Sequence, residues 1–573
     1  MQEAHTHGQR AAARHVLRLA SEAFPLLASV ALFLSIALRQ LDLPGFYYDE
    51  ALDLTPMLEL MRGEAPELLR GIGAGRYPVM LLDYMGSLGG YLTVPFFWVF
   101  GVGYVAARAQ PIFFACMTIL LSGWLARRWF GSAVAAVTVL LLAAQPSFIW
   151  FSRQGISVTS VMTVFSVGGA LLLDQALRDA DVRPQRARAA ALAAGLSLGL
   201  GLWAKFLFLR WIVALAAMGM VVGAFTGWAR AGALKRLLPW VMLGFGVGAA
   251  PLLYYNVVGL LRDGQPWTLT LLAQSLTQPT QQFGVNNLDV LNNLRKAIED
   301  VRVFVDGSYF WYNGVPFSNV YAVPTLLLAC AVGSVLAWQR AAEERGRFFA
   351  LLAGLAAITL QGAFTVSGLW STHHFILLPL PQLAVACAAV WLAQAIAARL
   401  PASPPLRVGA VVTIVVALLI VPFSRDLWVS EQHHATLART GGSGRFSDAV
   451  YKLARWLDEN RIARPIALDW GIERNVRVLT ADRVRPVEIF GFTPEADEGF
   501  RQRALSALQN PEHYYIVLWE RFAVYNRRQP FTELAHRLGL EVVEVFIAHE
   551  RSGLPVYVVL QARPKSKTNP ASE

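Results

Sequence analysis

The sequence predicts an all-α polytopic transmembrane bundle of about 11 helices, N-terminus inside and C-terminus outside, followed by an extracytoplasmic α/β domain. Three observations predict it. Of the 573 residues, 55% are hydrophobic and only 16% charged, where a soluble domain carries about a quarter charged. Mean hydropathy is +0.43. The apolar residues fall into about eleven runs of the roughly 20 residues that a helix needs to cross a bilayer, with Arg and Lys gathered in short segments between them.

The expected spans are 23–40, 104–126, 131–151, 155–177, 189–207, 209–228, 237–259, 319–338, 348–368, 374–397 and 407–424. Residues 1–22 form a cytoplasmic segment, and the first span, after Arg10, Arg14 and Arg18, reads as an uncleaved helix because no small-residue cleavage site follows it. The bundle extends over 23–425.

Orientation follows from charge. The segments Arg127-Arg128, Arg178 to Arg188, Arg230 to Arg236, Arg340 to Arg347 and Arg399 to Arg407 are all net basic, which places them in the cytoplasm. The first outer loop, 41–103, instead carries Asp42, Asp49, Glu50, Asp53, Glu59, Glu64, Glu67 and Asp83 against Arg62, Arg70 and Arg76. Its apolar stretch MLLDYMGSLGGYLTVPFFWVFG is broken by Gly86, Gly89, Gly90 and Pro95 and reads as an interfacial or re-entrant helix, with Tyr91 and Trp98 at headgroup level. Counting it as a span would place every later Arg cluster outside. A second outer loop, 260–318, is rich in Asn, Gln and aromatics (QPTQQFGVNN, DGSYFWYNG).

Residues 440–562 form the soluble domain. DAVYKLARWLDENRI has helical periodicity through Val450, Leu453, Ala454 and Leu457, and FTELAHRLG is a second helix closing at Gly539. PIALDW, YYIVLWE, EVVEVFIAHE and VYVVLQA read as strands. No phosphate-binding glycine loop or nucleophile elbow is present, and the tail 563–573 is polar.

Composition also excludes classes. The net charge of +11 forms no stripe with interleaved aromatics, so no nucleic-acid face is expected. Cys116, Cys330 and Cys387 lie in apolar runs without metal-ligand spacing. Ionisable residues sit at helix ends, not mid-span, which disfavours a secondary transporter.

Polar chemistry concentrates at Tyr47-Tyr48-Asp49-Glu50, just past the first span. Adjacent acids there suit a general base or a metal ligand. The competing reading is an N-cap at Asp49 with Glu50 in the first turn, and by spacing alone it is the commoner case. Lys205, Arg210 and Arg153 stand at span ends, where snorkelling anchors compete with phosphate binding.

An Asp-Glu pair directly after the first span resembles the GT-C superfamily of membrane glycosyltransferases, in its protein O-mannosyltransferase and lipid A aminoarabinose transferase branch. Further stretches resemble that branch in order: FGVGYVAARAQPIFF, WLARRWFGSAVAAVTVLLLAAQPSFIWFSR, GLGLWAKF and HHFILLPLPQLAVACAAVWL, over roughly 25–400. The resemblance implies an inverting hexosyl or pentosyl transferase that moves a sugar from a polyprenyl-phosphate carrier to a lipid, glycan or protein acceptor outside the inner membrane. It implies Asp49 as general base with Glu50 beside it, and Lys205 on the carrier phosphate with Arg210, Arg76 and Arg153 assisting. Tyr48, His373 and His374 would contact substrate.

Two departures stand out. Gly75-Arg76-Tyr77-Pro78 replaces the family's Lys-Pro-Pro, and SRQGISVTS lacks the acid that many relatives carry after Ser-Arg. A divalent metal is therefore unsupported, no cofactor is expected, and a non-catalytic protein that binds lipid-linked glycans is the alternative.

Overall fold

The computed structural model describes residues 23–155, 159–277, 288–310, 316–364, 371–401 and 403–565. The N-terminal segment 1–22, the QPTQQFGVNN stretch, part of DGSYFWYNG and most of the tail lie outside the described residues.

Within the described residues each expected span overlaps a helix or a bent helix pair, residues 156–158 and 365–368 lying outside them, but their lengths divide the spans. Six helices are long and apolar enough to cross a membrane, and up to eight if each bent pair counts as one span. Ala23–Ala37 and Ala322–Ala337 are shorter, and Ala342–Gln361 opens on the charged run AEERGR, which lowers its hydropathy.

Two expected spans are not straight. Ser132–Ala144 and Pro146–Gln154 meet at 59°, and Ala231–Gly248 and Ala250–Asp263 at 72°. Each second helix carries proline in its first turn (Pro146, Pro251), where the ring fits but the preceding turn cannot continue. The last span also departs from expectation. It does not stop at 424 but continues as one 37-residue helix, Pro404–Thr440, ended by left-handed Gly441.

Small residues set the packing. Helix Pro184–Ala204 meets Ala231–Gly248 through two Gly-x-x-x-Gly stripes, Gly195/Gly199 and Gly244/Gly248. A Cβ on Gly195 would lie 1.9 Å from the Val241 carbonyl oxygen, and one on Gly244 would lie 2.0 Å from that of Leu192. Only glycine allows this backbone approach.

Segment 41–103 holds the short helices Tyr48–Ala51 and Thr55–Met61, then two small hairpins, Gly73–Ala74 with Tyr77–Pro78 and Met80–Leu82 with Met85–Gly86. Helix Leu88–Phe100 follows; its 13 residues rise about 20 Å, too little to cross a hydrocarbon core of roughly 30 Å.

The C-terminal domain carries a mixed five-stranded sheet. Its order is Val487–Glu488, Ile466–Ala467, Tyr514–Leu518, Pro555–Pro564, Leu540–His549. The first three are parallel, and the last two run antiparallel in a long hairpin. Helices Glu473–Leu479 and Glu498–Leu508, unmarked by a clean apolar period, complete it.

This domain rests on segment 41–64. Gly45 N–H donates to the Phe446 carbonyl at 2.7 Å, and the Tyr451 hydroxyl to that of Asp42 at 2.7 Å. Ion pairs Arg477–Glu59 and Arg485–Glu64, both 2.7 Å, extend the seam.

Candidate active site

Asp49 lies within the first turn of Tyr48–Ala51, and Tyr47 is the capping position, so the expected N-cap at Asp49 is corrected. Glu50 takes that work. Its Oε1 accepts the Tyr47 N–H at 3.0 Å. Arg108, from helix Tyr104–Phe130, grips both Glu50 oxygens at 2.8 Å and also donates to the Leu41 and Pro44 carbonyls at 2.6 and 2.9 Å. Both side chains are buried, Arg108 at 0% and Glu50 at 1% exposure. Three donors on its two oxygens make Glu50 a fixed group.

Asp49, beside it, makes no hydrogen bond or contact ion pair among the described residues. Burial raises its carboxyl to about 6, opposed by the positive charges of Lys205 and Arg445 and reinforced by Glu50. Its base is thus weakly solvated and chemically available.

Lys205 is the first residue past helix Pro184–Ala204, in extended conformation. It bridges to Met85 in antiparallel fashion, Phe206 N–H donates to the Tyr84 carbonyl at 2.9 Å, and Trp203 Nε1 donates to that of Val79 at 2.8 Å. The loop comes this near because Gly86 has no side chain; a Cβ there would lie 2.0 Å from the Trp203 carbonyl oxygen. Lys205 is 4% exposed. Burial brings its ammonium down to about 8, with the Asp49 charge opposing. The half-buried Asp49 carboxylate and the buried Lys205 ammonium therefore feel each other's charge without forming a contact ion pair.

The other sequence-derived residues separate. Tyr48 packs into the seam, its ring 4.7 Å from Trp470 and its hydroxyl accepting from Arg474 Nε at 3.1 Å. Arg153 is fully buried, donates to the Arg39 and Gln40 carbonyls at 2.7 and 2.5 Å, and stacks on Trp150. Arg210 is buried in the first turn of Leu209–Phe225 and donates to the Ile358 carbonyl, while its Nε and Nη1 find no acceptor among the described residues. His374 is fully buried, and neither ring nitrogen finds a partner among the described residues. His373 is half-buried. Arg76 stays exposed at the hairpin tip, over the Tyr77 ring.

Sequence reading missed Arg108, Arg445, Asp469 and Trp470. Arg445 reaches the site from the turn after Thr440, over the Trp470 ring at 5.4 Å, next to Phe446 stacked on Tyr47 at 4.1 Å. Asp469 accepts the N–H groups of Trp470, Val524 and Tyr525. The GGSGR turn and an Arg inside an apolar span were the available signals for Arg445 and Arg108. Among the described residues no group of three His, Cys, Asp or Glu is placed to hold a metal.

Neither a protein-family model nor a curated protein matches the chain. Solved structures do. ArnT from Cupriavidus metallidurans bound to undecaprenyl phosphate superposes with a TM-score of 0.53 at 14% identity, over 94% of this chain and 98% of that one. Its apo state gives 0.54 at 14% identity, over 92% and 97%. Archaeal oligosaccharyltransferase AglB from Archaeoglobus fulgidus, in complex with an inhibitory peptide and a dolichol-phosphate, gives 0.51 at 14% identity, over 87% and 70%. The chain thus shares its fold with ArnT and AglB. At such identity the likeness establishes architecture, and the chemistry rests on the site.

Proposed function

We propose that this protein is an inverting glycosyltransferase that moves a sugar from a polyprenyl-phosphate carrier to an acceptor on the extracytoplasmic side of the inner membrane. The unpaired Asp49 carboxylate facing the buried Lys205 ammonium carries this reading. Supporting it, the fold is shared with proteins solved with undecaprenyl phosphate and dolichol-phosphate.

The steps follow from these groups. Asp49 takes the proton of an acceptor hydroxyl as its oxygen attacks the anomeric carbon. The bond from that carbon to the phosphate oxygen breaks on the opposite face, and its electron pair leaves with the phosphate. The donor is a phosphodiester with one negative charge, and the product is a monoester with more. Lys205 meets that growing charge, assisted by Arg210; Arg76 and Arg153 serve the carrier from further out. The sequence resemblance assigns Tyr48, His373 and His374 to substrate, and Glu50 holds the loop that presents Asp49. Sugar release from a synthetic polyprenyl-phosphate hexose or pentose by the purified protein tests the reading. Carrier binding without release would leave a lipid-linked-glycan binder.

The pH dependence separates the two charged groups. kcat/KM should fall below about pH 6 as Asp49 protonates and above about pH 8 as Lys205 loses its proton. Lys205 holds the Asp49 value down, so Lys205→Met should move the acid limb to higher pH and raise KM for the carrier. An acid limb left in place would remove Lys205 from the site.

The number and direction of the crossings, with the N-terminus inside and the C-terminal domain outside, are part of the proposal. In a background lacking Cys116, Cys330 and Cys387, Ala74→Cys at the exposed hairpin should react with an impermeant maleimide in intact cells. Reaction only after lysis would invert the topology.

A further inference from the structure

Away from Asp49, five helices border an open cavity with room of about 60 Å³, enough for a small polar head. Its polar lining comes from helix ends: Gln145 at the break before Pro146, Thr325 in the first turn of Ala322–Ala337, Gln382 in the first turn of Leu380–Ala397, and Asp426 with Asn319. Its apolar lining, Leu141, Leu326, Val385 and Leu419, lies deeper on the same helices.

The depth is set by helix rise. At about 1.5 Å per residue, Asp426 lies about 33 Å along Pro404–Thr440, just past a hydrocarbon core of roughly 30 Å. With the basic end at Arg407 inside, the polar groups sit level with the outer headgroups and the apolar wall faces the acyl region. The flanks offer exposed Leu327, Leu328, Leu418 and Val421 to the bilayer.

The polar groups are acceptors in excess. Asp426, 9% exposed, receives one hydrogen bond, from Asn319 Nδ2 to Oδ1 at 2.7 Å; the same amide also donates to the Pro422 carbonyl at 2.8 Å. Gln382, 7% exposed, leaves Oε1 without a donor. Gln145 spends its amide on the Phe304 carbonyl at 3.0 Å. The neighbouring Arg425 turns away, its guanidinium on Trp428 at 3.6 Å and its Nε donating to the Ser318 carbonyl. A positively charged donor beside Asp426 would hold its carboxyl in the charged form, and with the free Gln382 Oε1 the side chain offers such a donor acceptors at the membrane boundary.

We propose that this cavity is an outer-leaflet lipid site that takes a phospholipid with a primary-ammonium head, the ammonium between Asp426 and Gln382 and an acyl chain against Leu326, Val385 and Leu419. A phosphate-first ligand is disfavoured by the acceptor surface, so the site is separate from the carrier. The proposal rests on the crossing direction and not on sugar transfer.

Native mass spectrometry of the full chain tests it with phosphatidylethanolamine, phosphatidylcholine, phosphatidylglycerol and polyprenyl phosphate. One ethanolamine lipid should be retained per chain, at least tenfold in preference to the choline and glycerol lipids, and undisplaced by polyprenyl phosphate. Asp426→Asn keeps the shape and the Asn319 contact and should lower that retention about tenfold; Leu326→Trp fills the cavity and should do the same with Asp426 intact. Equal binding of the choline or glycerol lipid, displacement by polyprenyl phosphate, or retention by Leu326→Trp would each overturn the site.

Discussion

Asp49→Asn is expected to lower turnover by about a hundredfold or more while leaving carrier binding and folding intact. The asparagine side chain has the same shape but cannot take a proton. An acceptor hydroxyl then attacks without a base, and general-base assistance is what is lost. Folding is spared because Asp49 makes no hydrogen bond that the amide must replace, and its burial already disfavours the charge. The assay is single-turnover release of the sugar from a synthetic carrier, with carrier affinity measured in parallel. Near-normal turnover by Asp49→Asn would sink the catalytic assignment. A loss confined to carrier affinity would move Asp49 from base to binding.

The second large effect is structural. Glu50→Gln should destabilise the protein by about 3–5 kcal/mol, because Arg108 would keep its full charge in a site with no exposure and lose its carboxylate. Arg108→Met should do the same by stranding Glu50. Removing both, as Glu50→Leu with Arg108→Met, should cost less than either single change, since no unpaired charge remains buried. Thermal unfolding in detergent reads all three. Activity lost by Glu50→Gln should track the folded fraction, and the acid limb of the folded remainder should move to lower pH, because the Glu50 charge helps to raise the Asp49 value. Single variants as stable as the unaltered protein would show that the pair carries no structural load.

These two carboxylates, adjacent in sequence, show where sequence reading stops. The tyrosine-flanked Asp-Glu pair was legible as a candidate, but its division of labour was not. Which acid is paired depends on Arg108, 58 residues away, entering from another helix. The same holds for Lys205. Its place at the end of an apolar run was visible, but its Asp49 neighbour follows from Gly86 letting the loop close against Trp203. Arg445 and Trp470 were invisible because they reach the site only when the C-terminal domain settles on segment 41–64.

The sequence by itself determined that the chain is a helical membrane bundle with a strand-containing C-terminal region, and roughly where most of its apolar helices lie. Those properties are local sums: apolar length against bilayer thickness, charge on the flanks, and side-chain period along each element. Only the tertiary structure decided which helices bend, which acid is free and which cation faces it. Bends at Pro146 and Pro251 depend on the neighbours that accept them, and a carboxylate's availability depends on every donor that the fold brings within reach.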